Sequence, residues 1–211
     1  MSIAASRRDF LMSAGALIGA LSLYGCETTP NPSPTPPVMP PTPSPAPVAS
    51  AFPMIVDASA RIDASKAKAL KAQGVRTVFR YYCQLPPSIP GKDLQPEEAK
   101  IILGEGLSLG VVFQHYNNCF RTFENRWGKE DAEQALKMAE AIGQPKDSAI
   151  YFGVDGDWPW ASLSDAIVAY FEDVNRVFEG TGFDVGIYSN GCTCNLIRTR
   201  KLAKYFWLSG S

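Results

Sequence analysis

Ala149-Ile150-Tyr151-Phe152-Gly153-Val154-Asp155-Gly156-Asp157 is an apolar run that stops at two carboxylates. A short run rich in β-branched and aromatic residues reads as a buried strand. Acidic side chains at its exit place charge at the rim of a sheet, where α/β proteins keep their chemistry. Pro53-Met54-Ile55-Val56-Asp57 ends in the same way. Two residues separated by one on a strand point to the same face, so Asp155 and Asp157 act on one side together.

Working outward, strand and helix patterns alternate. Strands are expected at about 54–57, 76–82, 109–116, 149–155, 184–189 and 205–208. Helices are expected over about 63–73, from Pro96 to before Gly106, over 129–142 with Gly143 as cap, over 162–179 and over about 195–203. Proline in the first turn followed by Glu97 and Glu98 suits the positive end of a helix dipole. Strict alternation predicts a parallel sheet with helices outside. A doubly wound sheet and a (β/α) barrel both fit, but no Gly-x-Gly-x-x-Gly follows the first strand, which removes the main support for a dinucleotide fold and its cofactor. A complete barrel has eight units. The chain reaches Leu208-Ser209-Gly210-Ser211 after the sixth strand, so the barrel is expected to be truncated there.

The chain upstream differs in kind. Ser6-Arg7-Arg8-Asp9-Phe10-Leu11 matches the twin-arginine export pattern, and the apolar stretch from Leu11 to Tyr24 is short for a membrane span. It ends in Leu23-Tyr24-Gly25-Cys26, which resembles a bacterial lipobox with Cys26 as the lipidated residue. Residues 1–25 are thus expected to be a twin-arginine/lipoprotein signal peptide, and residues 26–52 a lipid-bearing Cys26 with a proline-rich linker. Such a linker favours extended polyproline II and acts as a spacer. The expected location is outside the cytoplasm, on the periplasmic or extracellular side, with the membrane reached through the N-terminal lipid anchor. Residues 53–211 remain for one globular domain.

Charge is balanced, with 20 Lys+Arg against 21 Asp+Glu, and no basic stripe argues for nucleic acid. His115 is the single histidine, which excludes a histidine-built zinc site. Cys83 and Cys119 follow neighbouring strands in an oxidising compartment and are a disulfide candidate; Cys192 and Cys194 are too close for an easy mutual bond.

Asp57, Asp155 and Asp157 are the candidate catalytic residues. Like charges close together raise one pKa, so one carboxyl serves as acid while another stays ionised, as sugar hydrolysis requires. Arg80, Tyr82, Gln114, Tyr188 and Trp207 lie at the expected strand exits as substrate-binding candidates, since aromatic faces with planar polar groups suit sugars. Any single ring among these reads first as core packing, so their common place at strand exits is the stronger signal, and Asp-x-Asp taken alone reads as a cap on the next helix or a strand-end closure.

Three further stretches carry a resemblance. They are Gly74-Val-Arg-Thr-Val-Phe-Arg80-Tyr81-Tyr82, Lys92-Asp-Leu-Gln-Pro-Glu97-Glu98-Ala, and Gly106-Leu-Ser-Leu-Gly-Val-Val-Phe-Gln114. With Gly128-Lys-Glu-Asp131-Ala132, Ile150 to Asp157, Gly186-Ile-Tyr188-Ser-Asn190 and Trp207, they resemble in order the glycoside hydrolase-like domain of exported bacterial proteins, which is related to family 25 lysozymes. The resemblance spans roughly residues 53–208 and implies a TIM-barrel-like fold with a groove for glycan, peptidoglycan being one candidate. It places Asp57 at the family's strand 1 acid and Asp155 at the first acid of strand 4. Family 25 lysozymes carry Asp-x-Glu there, whereas the second acid here is Asp157. The expectation is a carboxylate glycosidase that uses no cofactor or metal. A non-catalytic cell-wall binding module on the same scaffold is the rival.

Overall fold

A computed structural model describes residues 54–116, 119–156 and 160–209. The signal and linker expectations, Cys26 among them, lie outside the described residues. So does Asp157.

The elements follow one another as β1 (Met54–Asp57), α1 (Ala64–Ala72), β2 (Val75–Tyr82), α2 (Pro96–Gly104), β3 (Ser108–Phe113), α3 (Arg121–Glu124), α4 (Gly128–Ile142), β4 (Ala149–Val154), α5 (Trp160–Phe178), β5 (Asp184–Ser189), α6 (Gly191–Thr199) and β6 (Tyr205–Leu208). All neighbouring strands pair in parallel, and their order in the sheet is β1-β2-β3-β4-β5-β6. Each strand thus takes its place beside its predecessor, and the six strands curl into a TIM-like half-barrel. β1 and β6 are its two edges, and Ile55 and Leu208 on them are each more than half exposed.

Local chemistry explains the element boundaries. Asp63 accepts a hydrogen bond from Lys66 N at 2.9 Å and caps α1. Pro96 occupies the first turn of α2, where its missing N–H costs nothing. Gly143 closes α4 at φ 75°, the left-handed region that a side chain would disfavour. One expectation is corrected here. The helix expected over about 195–203 starts four residues earlier, at Gly191. Asn190 accepts from Thr193 N at 2.9 Å, so α6 begins at once and ends at Thr199.

The core lies between the convex face of the sheet and the helices. Phe113, Ile150, Phe152 and Ile187 from the strands meet Phe171, Val174 and Phe178 of α5, all buried. A second apolar cluster joins Val75 and Val78 to Ala67 and Ile102 under α1 and α2. Alternate residues on the same strands turn the other way. Phe79, Tyr81, Val112, Tyr151, Tyr188 and Trp207 form a separate cluster on the concave face. Glycines make room for these rings. A Cβ on Gly110 would sit 2.5 Å from the Phe79 ring, and one on Gly186 would sit 2.7 Å from Tyr151. On the inside of a curled sheet, two bulky residues side by side on strands about 4.8 Å apart would collide, so large rings lie beside glycine.

Candidate functional site

The site grows from the C-terminal ends of the strands. Asp57 is the last residue of β1, paired in register with Phe79. Tyr81 comes from β2 with its side chain on the concave face, and its phenol donates to Asp57 Oδ2 at 2.7 Å. Asp155 leaves β4 on the same side and is half-buried. The segment after β2 doubles back: Leu94 N donates to Tyr81 O at 2.9 Å, and buried Leu94 pins the return. This carries Lys92 into the mouth. Its Nζ lies 4.4 Å from the centre of the Tyr81 ring and donates to Gln114 Oε1 at 2.6 Å. Lys92 is 4% exposed and Gln114 5%.

Beneath the mouth a buried ion pair joins three segments. Arg80 is wholly buried, and its Nε donates to Glu98 Oε1 at 2.6 Å. Its remaining groups donate to Glu98 Oε2, Ala58 O and Gly91 O, while Glu98 also accepts from Ile62 N at 2.7 Å. The exits of β1 and β2 and the start of α2 are thereby held together by charge-assisted bonds.

The electrostatics follow from burial. Desolvation raises the pKa of Asp57 above the ordinary carboxylate value; the Tyr81 hydrogen bond and the Lys92 and Arg80 charges pull it back, and the Asp155 charge adds to the rise. Burial and the Asp57 charge hold the Tyr81 phenol well above the tyrosine range, so it stays a donor. Burial lowers the Lys92 pKa, opposed by the Cys83, Asp57 and Asp155 charges.

Several expected site residues fall together and others do not. Asp57, Asp155, Gln114, Tyr188 and Trp207 share the concave side, with Trp207 packed 4.1 Å from Phe79 and 4.8 Å from Tyr188 between ring centres. Tyr82 is corrected. It is wholly buried on the convex side, and its hydroxyl donates to Gln144 Oε1 at 3.0 Å. Tyr81 and Tyr82 are adjacent on one strand and cannot face the same way; Tyr81 is the one that faces the mouth. Arg80 is also corrected from substrate contact, because its guanidinium is spent on Glu98 and two carbonyls. Cys83 and Cys119 are free thiols, and burial first of all pushes Cys83 up to about 11. His115 turns to the helix layer, 2.5 Å from buried Asp131 and stacked 4.4 Å from Trp127.

Lys92 was not legible as a site residue. It stands in an irregular segment with no periodicity, and only the doubling-back of that segment brings it to Asp57. Tyr81 carried a signal: it shares strand parity with the concave face.

The family model for the Rv2525c-like, glycoside hydrolase-like domain matches residues 68–208. The chain belongs to that family. FadG of Bacillus subtilis (strain 168) is 32% identical over 157 residues, which is 73% of this chain and 27% of FadG. YbfG of the same organism is 27% identical, over 72% of this chain and 22% of its own length. The chain therefore spans about a quarter of the length of these curated relatives. Among solved structures, the Tat-secreted protein Rv2525c of Mycobacterium tuberculosis, in complex with HEPES, shares the fold at a TM-score of 0.63 and 24% identity, covering 73% of this chain and 77% of that one. A B. stearothermophilus protein shares it at 0.54 and 17% identity, covering 74% and 73%.

Proposed function

We propose that this domain is a glycan-active hydrolase in which Asp57 and Asp155 are the working carboxyl pair. One observation carries the reading: a carboxyl raised by burial, held by the Tyr81 phenol, shares the mouth of the curled sheet with a second carboxylate. In this reading Asp57 holds the proton and passes it to the glycosidic oxygen, while ionised Asp155 stabilises the cationic sugar or attacks it. Tyr188 and Trp207 offer aromatic faces to a sugar ring, and Gln114 a planar polar edge. Asp157 is a candidate for the same mouth through the Asp-x-Asp spacing. Membership of the glycoside hydrolase-like family supports a glycan as substrate, and peptidoglycan is the cell-wall glycan to test.

The test is solubilisation of purified peptidoglycan by the wild type and by Asp57→Asn and Asp155→Asn. Loss of turnover by about 10²-fold or more in each supports the reading. Absence of turnover by the wild type at every pH sinks it. The aromatic concave face favours one second reading, a glycan-binding module without chemistry. Retained pull-down by peptidoglycan with no product would support that instead.

We also infer export with lipid anchoring. The twin-arginine pattern at Ser6-Arg7-Arg8-Asp9-Phe10-Leu11 and the lipobox ending in Cys26 support it, and the related Rv2525c is a Tat-secreted protein. Cys26→Ser is expected to abolish labelling by a palmitate analogue and to move the protein from the membrane to the soluble fraction. Unchanged labelling would count against the anchor.

A further inference from the structure

Lys92 is a buried cation without a carboxylate of its own among the described residues. Arg80, the neighbouring buried cation, is neutralised by Glu98. Lys92 forms no ion pair among the described residues, and Gln114 Oε1 is the one acceptor they offer its ammonium, which has three donors. Asp57 presents the complement: its Oδ2 receives the Tyr81 hydroxyl, and its Oδ1 is buried with no partner among the described residues. The ring of Tyr81 stands between the two, with the ammonium over its face and the carboxyl at its hydroxyl.

Burying an unpaired charge is costly, and apolar residues of similar volume would fill this space more cheaply. Packing therefore does not account for Lys92. A cation over an aromatic face is attracted to the ring and fixes its orientation. It also acts at short range on every carboxylate in the same low-dielectric mouth.

We propose that Lys92 is a positioning residue that holds Tyr81 as the donor to Asp57 and sets the pH at which Asp57 and Asp155 release their protons. The inference rests on the carboxyl pair being the working machinery. Its content is narrower, because it concerns proton placement in the protein without substrate. Among the described residues, the charged and titratable groups facing the pair are Lys92, Arg80, Tyr81 and Tyr188, and Cys83 and Asp93 flank Lys92. Of these, Lys92 and Arg80 are the cations, and Arg80 is already compensated. Loss of the Lys92 charge removes an attraction that favours both carboxylates, so both carboxyls should hold their protons to higher pH. A turnover profile bounded by one ionised and one protonated carboxyl should then move upward as a whole, without narrowing.

The experiment is a carbon-detected NMR titration of the Asp57 and Asp155 carboxyls in the full chain, for the wild type, Lys92→Met and Lys92→Arg. Lys92→Met is expected to raise both midpoints by about one pH unit, and Lys92→Arg, which keeps the charge, to leave them near the wild type. Unmoved midpoints in a folded Lys92→Met overturn the proposal. So does an equal shift in Lys92→Arg, which would mark a packing effect. Should Lys92→Met not fold, the wild type decides: the Lys92 ammonium resonance must step at the Asp57 midpoint, and a flat response overturns the proposal. A titration that moves as expected, with no glycan cleaved at any pH, supports the role of Lys92 and sinks only the hydrolase reading.

Discussion

The convex and concave faces of one sheet are built from the same six strands and obey different rules. On the convex face Phe113, Ile150, Phe152 and Ile187 are buried against helices and carry no polar group into the packing. On the concave face the alternate positions hold Tyr81, Tyr151, Tyr188 and Trp207, rings with polar ends, spaced by Gly110 and Gly186. The period of two in a strand allows this division, because neighbouring side chains never compete for one side. The convex face supplies stability by removing apolar area from water. The concave face gives up packing for shape and for groups that hold protons.

The sharpest way to break the comparison is Phe152→Ala. Phe152 packs against Phe113, Tyr170, Phe171 and Phe178, and its loss should cost about 3–5 kcal/mol in denaturant unfolding while leaving the Asp57 titration of the folded protein in place. A cost near zero would mean that the convex face is not the core. Gly110→Val tests the other face. Its new side chain meets the Phe79 ring, and the expected cost is about 1–3 kcal/mol, with Phe79 forced off the Trp207 ring it now packs against. Trp207 fluorescence would register that displacement, and an unchanged spectrum with unchanged stability would refute the close fit.

The smallest effect concerns pH. Because the folded state raises the Asp57 pKa above 3.8, the folded protein binds more protons than the unfolded chain once pH passes that value. Stability from this group is fully present below pH 3.8 and is lost as pH rises through the folded midpoint. Asp57→Asn keeps an acceptor for Tyr81 and removes the titration. Its unfolding midpoint relative to the wild type should therefore rise with pH above 3.8 and then level off. A difference that falls with pH would reverse the sign of the burial argument and bring the concave face closer to the convex one.

Much of this was legible along the chain. Strand ends at Asp57, at 184–189 and at 205–208 coincide with expectation, because apolar runs closed by acids or turn residues have few other readings. The carboxyls at β1 and β4 were legible for the same reason. Tyr82 was misassigned because Arg80, Tyr81 and Tyr82 stand at one strand exit, and composition alone does not say which parity faces inward. The short α3 also went unseen, since four residues carry too little periodicity to register.

The amino-acid sequence alone determined the alternation of strand and helix, the parallel sheet that follows from it, and the acids at the strand exits. These are properties of neighbours in the chain, read from hydrophobic period and turn chemistry. Only the tertiary structure decided that Arg80 is spent on Glu98, that Tyr81 and not Tyr82 reaches Asp57, and that Lys92 enters the mouth. Each depends on contacts between segments distant in sequence. Burial then sets the charge of every group involved, and burial is a property of the folded surroundings that no local stretch contains.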